Sequence, residues 1–99
     1  MAEKKTPIAA DARYRRAEKV AWRDVAGEVL VIHPARSMMY PLNPVASAIW
    51  GLLDGTRDAR ALAGEVGRSF EVDEAKALRD VLDFLRDLSE SGLVEAVRE

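Results

Sequence analysis

The chain has no cysteine, so it can form neither disulfides nor thiolate metal sites. A single histidine, His33, is too little for a histidine-rich metal site or for a Ser/His or Cys/His catalytic pair. The six glycines form no phosphate-cradling loop of the Walker or dinucleotide type. No apolar run approaches the roughly 20 residues needed to span a bilayer. The charged segment from Met1 to Pro7 lacks the apolar core of a signal peptide, so a cytoplasmic location is expected. Together these absences predict a protein with no metal, no cofactor and no membrane partner.

What is present suits one small soluble domain. The chain has 99 residues, 48 % of them hydrophobic and 32 % charged, too few for a second core. Its net charge of −2 is unevenly spread. Residues 1–42 carry eight Lys/Arg against five Asp/Glu, a balance of +3; residues 43–99 carry seven against twelve, a balance of −5.

The stretch from Tyr40 to Gly55, YPLNPVASAIWGLLDG, organises the rest. Asn43 is a good N-cap, and Pro44 falls at the first helical position, where a missing N–H costs nothing. Val45, Ile49, Leu52 and Leu53, with Ala46, Ala48 and Trp50, make the following helix apolar almost all round, which predicts a buried, central element. Asp54-Gly55 is expected to end it.

Residues 1–12 have no clear period and are expected to form a mobile tail ahead of a domain over 13–99. Within Arg13 to Asp24, Val20 and Trp22 alternate with polar neighbours, as in a short half-buried strand. Val25-Ala26-Gly27 reads as a turn, and Glu28 to His33, rich in β-branched residues, as the clearest strand. Pro34-Ala35-Arg36 is a second turn, and Ser37 to Leu42 a third strand. Short loops predict an antiparallel meander. Proline is confined to edges, strand ends or bulges, so Pro41 places the third strand at the sheet's edge.

Thr56-Arg57-Asp58 reads as a polar link, with Thr56 or Asp58 capping a helix from Ala59 to about Phe70. Asp73 caps the longest helix, Glu74 to about Ser91, before Gly92 and a short β segment at Leu93-Val94. In projection, Val81, Leu85, Leu78 and Leu88 form the centre of this helix's apolar arc. Phe84 and Ala77 extend the arc on one side, bordered by Asp80 and Asp87; Leu82 and Ala75 extend it on the other, bordered by Arg79 and Arg86. The arc spans about 180°, wider than the roughly 100° of a core stripe, so one margin is available if the other is packed. The predicted class is α+β, a winged helix-turn-helix-like layout in which a three-stranded antiparallel sheet precedes three helices.

Three kinds of chemistry compete. Asp80, Asp83 and Asp87 lie on the polar face of the long helix, where nothing raises a carboxyl pKa for acid–base work, so catalysis is not supported. A helix-turn-helix layout invites a DNA-binding regulator as an alternative. However, Asp73 to Ser91 carries six acidic and three basic residues, and a helix of net −3 is repelled by phosphates. An edge strand beside an apolar helix suits peptide binding by strand addition. Met38 and Met39 on that edge fit an adaptable apolar surface or an ordinary core.

These residues resemble the PqqD family, small peptide chaperones also described as recognition elements for ribosomally synthesised, post-translationally modified peptides. The likeness runs from about Ala17 to Val97. It rests on Val20-Ala21-Trp22, Val29-Leu30-Val31, Leu42-Asn43, Ile49-Trp50, Leu52-Leu53-Asp54-Gly55, Ala61-Leu62, Phe70 and Ser91-Gly92-Leu93-Val94. The resemblance implies a non-catalytic domain that holds the leader of a precursor peptide and presents it to a modifying enzyme, often a radical S-adenosylmethionine protein. It implies a leader paired with the third strand, at Ser37, Met38, Met39 and Tyr40, and lying against the long helix. Leaders in the family are commonly acidic, which favours the margin of Leu82 with Arg79 and Arg86; Phe84 with Ala77 is the other candidate wall. A structural subunit of an enzyme assembly that binds no free peptide is a further alternative.

Overall fold

Two three-stranded antiparallel sheets, not one, accompany three helices in the computed structural model, which describes residues 10–33 and 38–97. In chain order the elements are β1 (Arg13–Arg16), β2 (Ala21–Val25), β3 (Glu28–His33), β4 (Met38–Pro41), α1 (Pro44–Gly51), β5 (Asp54–Asp58), α2 (Ala59–Phe70), α3 (Glu74–Glu90) and β6 (Val94–Ala96). One sheet has the order β2-β3-β4, the other β5-β1-β6. The class is α+β, with the expected meander and a second sheet added to it.

The meander follows from local chemistry. Ala26 and Gly27 both take positive φ, 55° and 88°, in a two-residue turn whose twist matches the strands it joins. Asp24 Oδ1 accepts from Gly27 N–H at 2.9 Å and fixes that turn. Along β3, Val29 and Val31 are buried, whereas Leu30 and Ile32 are only partly so, the period of two that one packed face requires. Tyr40 stands opposite Val31 and packs on the core; Met39, opposite Ile32, is 63 % exposed.

All three helix starts are capped as the sequence indicates. Asn43 Oδ1 accepts from Ala46 N–H at 2.8 Å with Pro44 opening α1, Asp58 Oδ1 accepts from Ala61 N–H at 2.9 Å, and Asp73 Oδ2 accepts from Lys76 N–H at 3.3 Å. Ile49, Trp50, Leu53, Leu62, Leu85 and Leu93 are fully buried where the helices and sheets meet. Of α1, Ser47, Ile49 and Trp50 are buried while Val45, Ala46 and Ala48 stay partly exposed, so this helix buries one face rather than its whole circumference.

The second sheet revises three expectations. The short strand expected around Val20 and Trp22 is present as β2 but is not half-buried, and a separate strand precedes it. β1 belongs to the second sheet with Tyr14 buried, and β2 is exposed along its whole length, Trp22 included. Tyr14 is the one large apolar residue of β1, and β1 pairs with β5 and β6, strands remote in sequence, so no local pattern marks it. The helix before Asp54-Gly55 stops earlier, at Gly51, with Leu52 as its C-cap. Asp54 to Asp58 is strand rather than link, and Gly55, at φ 89°, sits where the register against β1 shifts. Arg16 joins the sheets: its guanidinium donates to the Trp50 carbonyl at 2.7 Å and lies 5.2 Å over the Trp22 ring.

Residues 1–9 of the expected tail, the turn at 34–36 and Ser37 lie outside the described residues. Within 10–12, the Ala10 carbonyl accepts from Arg60 N–H at 3.3 Å and Ala12 packs against the core.

Candidate functional site

β4 is an edge strand, as Pro41 indicates, paired with β3 on one side only. Its register decides which groups face outward. Leu42 N–H donates to the Val29 carbonyl at 2.9 Å, so residues 42 and 29 form a hydrogen-bonded pair. Antiparallel pairs alternate, which makes Tyr40–Val31 and Met38–His33 bonded pairs and Met39–Ile32 and Pro41–Leu30 non-bonded ones. The free edge therefore presents the N–H and carbonyl of Met39 and the carbonyl of Pro41. Proline occupies a position whose missing N–H breaks no bond of the sheet.

Ser47 holds this strand in place from α1. Its buried hydroxyl accepts from Val29 N–H at 2.9 Å and donates to the Leu42 carbonyl at 3.2 Å, closing the end of the β3–β4 ladder. No feature of the sequence singles Ser47 out, because a serine inside a short helix has many uses.

α3 packs chiefly on α2 and presents two different margins. Asp80, Phe84, Asp87 and Ser91, spaced four, three and four residues apart, form one stripe. At its start, Asp80 and Phe84 line a cavity of about 250 Å³ with Asn43, Val45, Ala46 and Ile49, just after β4. At its end, the Ser91 carbonyl accepts from His33 Nε2 at 2.8 Å, and His33 stands opposite Met38. The stripe is longer than the strand: its eleven helical steps rise about 16 Å, whereas the four residues of β4 extend about 10 Å and Leu42 and Asn43 lead on to α1. The stripe thus meets the β2-β3-β4 sheet at His33 at one end and an apolar hollow against α1 at the other.

The other margin faces α2. Ala75 and Leu78 line a separate cavity with Arg60 and Ala63, and Leu82 lies one turn beyond Leu78. Arg79 and Arg86 border that same side, and Arg86 donates to Asp83 Oδ1 at 3.1 Å. Asp80 and Phe84 thus face α1 and its cap, just beyond β4, whereas Ala75 and Leu78, on the side that Arg79, Leu82 and Arg86 border, face α2. Ser37 is outside the described residues, and of Met38 only the backbone is described. The sequence alone left the two margins as alternatives because both border the same apolar arc; the cavity contacts separate them.

Among the described residues no group of three or more His, Asp or Glu side chains could hold a metal ion, and no helix is long and apolar enough to cross a membrane.

Fold and site together define a small α+β domain with an open strand edge on one sheet and a long helix tied to that sheet through His33. The family model of coenzyme PQQ synthesis protein D (PqqD) matches residues 28–94, and the chain belongs to that family. Similar solved structures include TbiB1 in complex with the TbiA(beta) leader peptide, at 26 % identity and a TM-score of 0.76, covering 86 % of this chain and 99 % of that one. The PqqD truncation of Methylobacterium extorquens PqqCD, described as a stand-alone recognition element, aligns at 24 % identity and a TM-score of 0.73, covering 91 % and 96 %. Lasso peptide synthetase B1 complexed with its leader peptide shares the fold at 19 % identity and a TM-score of 0.75, covering 85 % and 99 %. No curated protein shows significant sequence similarity to the chain.

Proposed function

We propose that this chain is a non-catalytic peptide chaperone. It binds the leader of a ribosomally synthesised precursor in the cytoplasm and presents it to a modifying enzyme, of the radical S-adenosylmethionine type in keeping with the PqqD family. The leader adds as a strand to β4, taking hydrogen bonds from the Met39 N–H and giving them to the Met39 and Pro41 carbonyls. We assign Met39 and Tyr40 to its contacts, with Ser37 and Met38 added as the family resemblance implies. Its other side lies along the Phe84 stripe of α3, in preference to the Arg79, Leu82 and Arg86 margin.

One observation supports the reading most: β4 is an edge strand with outward N–H and carbonyl groups, and the Phe84 stripe meets residues at both of its ends, Asn43 just beyond β4 and His33 opposite Met38. The fold shared with leader-bound proteins supports it. The −3 charge of the long helix speaks against phosphate binding, and nothing favours DNA as the ligand.

The test is a fluorescence anisotropy titration with the labelled leader of the precursor encoded beside this protein's gene. Saturable one-to-one binding, and no salt-sensitive shift of DNA in a gel, is the expected result. Co-purification with the modifying enzyme without binding of any leader would instead make the chain a structural subunit.

A further inference from the structure

We infer that the leader carries a lysine or arginine whose aliphatic stem enters the hollow between α1 and α3 and whose charge meets Asp80, with Asp87 adding negative field farther along the same stripe. The inference rests on the strand-addition reading and adds to it the chemistry of the recognised side chain.

The hollow is of side-chain size. Its volume of about 250 Å³ falls below the roughly 300 Å³ at which small-molecule pockets begin. Ile49, 2 % exposed, forms its floor, and the half-buried Val45, Ala46 and Phe84 form its walls. Those surfaces accept methylene groups. One carboxylate, Asp80, lines the hollow; Asp87 lies about 10 Å farther along the same stripe.

Charge complementarity selects among occupants. Neither arginine of α3 lies on this stripe, since Arg79 and Arg86 border the opposite margin. Lys76 reaches Asp80 at 2.9 Å, but both side chains are about half exposed, and such an i,i+4 pair is weak enough to be exchanged or shared. Asp87 has no ion-pair partner among the described residues. A purely apolar side chain fills the hollow and leaves the carboxylates unused; a glutamate or aspartate faces like charge. Lysine or arginine satisfies both parts, its stem on apolar surface and its head in water beside a carboxylate. The leader of this protein thus differs, at this position, from the acidic type that the family resemblance suggests.

A displayed library of random 15-residue peptides, selected against the immobilised protein, tests this and does not require the natural leader. The expected outcome is enrichment of extended apolar sequences with lysine or arginine at one fixed position. The Asp80→Asn/Asp87→Asn double variant keeps the apolar preference and loses the basic one. Replacing the enriched base by glutamate weakens binding by about threefold to fivefold or more. Enriched peptides that need the Met39 edge but show no basic preference would overturn the inference and leave strand addition standing. Failure to enrich any peptide dependent on that edge would overturn both.

Discussion

His33 Nε2 donates a hydrogen bond to the carbonyl oxygen of Ser91 at 2.8 Å, tying the end of β3 to the C-cap of α3. The carbonyl can only accept, so the imidazole carries its proton on Nε2. The bond joins β3, at the residue opposite Met38, to the end of the Phe84 stripe. It therefore fixes that end of α3 against the sheet that contains β4.

His33→Ala should lower stability by about 1 kcal/mol, the net worth of one such bond, seen as a lower urea midpoint at unchanged slope. Leader affinity should fall as well, since α3 and the sheet must then be ordered against each other on binding. A variant with lower stability but full affinity would show that the bond holds the fold without positioning α3 for the leader.

The alternation of β4 makes neighbouring prolines act differently. Met39→Pro removes an N–H that points away from the sheet, so folding should be nearly unaffected while leader binding is lost. Tyr40→Pro removes an N–H that belongs to the β3–β4 ladder and also a side chain packed on the core. It should destabilise the domain by about 3 kcal/mol or more. Thermal melts beside calorimetric titrations separate the two outcomes.

Ser47→Ala should cost about 1–3 kcal/mol, because it leaves the Val29 N–H buried without its acceptor. Deuterium exchange at Val29 and Leu42 should quicken with the loss of global stability, as measured by chemical denaturation.

Asp54 supplies a pH prediction. Its carboxylate accepts from the Thr56 hydroxyl at 2.6 Å and from Thr56 N–H at 3.0 Å, with Arg57 nearby, and these hold its pKa below the ordinary carboxylate value. A folded pKa below the unfolded one means stability that is complete above the ordinary carboxylate range and is lost as the pH falls through the folded value. Carboxyl NMR titration should give Asp54 a midpoint below that of its Thr56→Val variant. Equal midpoints would contradict the assignment.

The legible parts of the sequence were those with local causes. Asn43 and Asp73 announced their helices because a cap acts within one turn, and the structure selects Asp58 over Thr56 for the helix between them. Pro41 announced an edge because proline has no N–H to give. What escaped depends on partners distant in the chain. β1 pairs with β5 and β6 across long separations, so Arg13 to Arg16 carries no alternation readable by itself. The choice between the Leu82 and Phe84 margins of α3 was equally non-local. Both are apolar with charged borders, and only the positions of α1 and α2 show that Leu78 and Ala75 look toward α2 while Phe84 looks toward the start of α1.

The central claim is that the outward backbone of β4 receives the leader as an additional strand. Amide hydrogen exchange at Met39, resolved by NMR with and without saturating leader peptide, tests it most directly. The account predicts rapid exchange in the free protein and strong protection in the complex, with Tyr40 protected in both. A leader that binds while the Met39 amide exchanges as fast as before would contradict it.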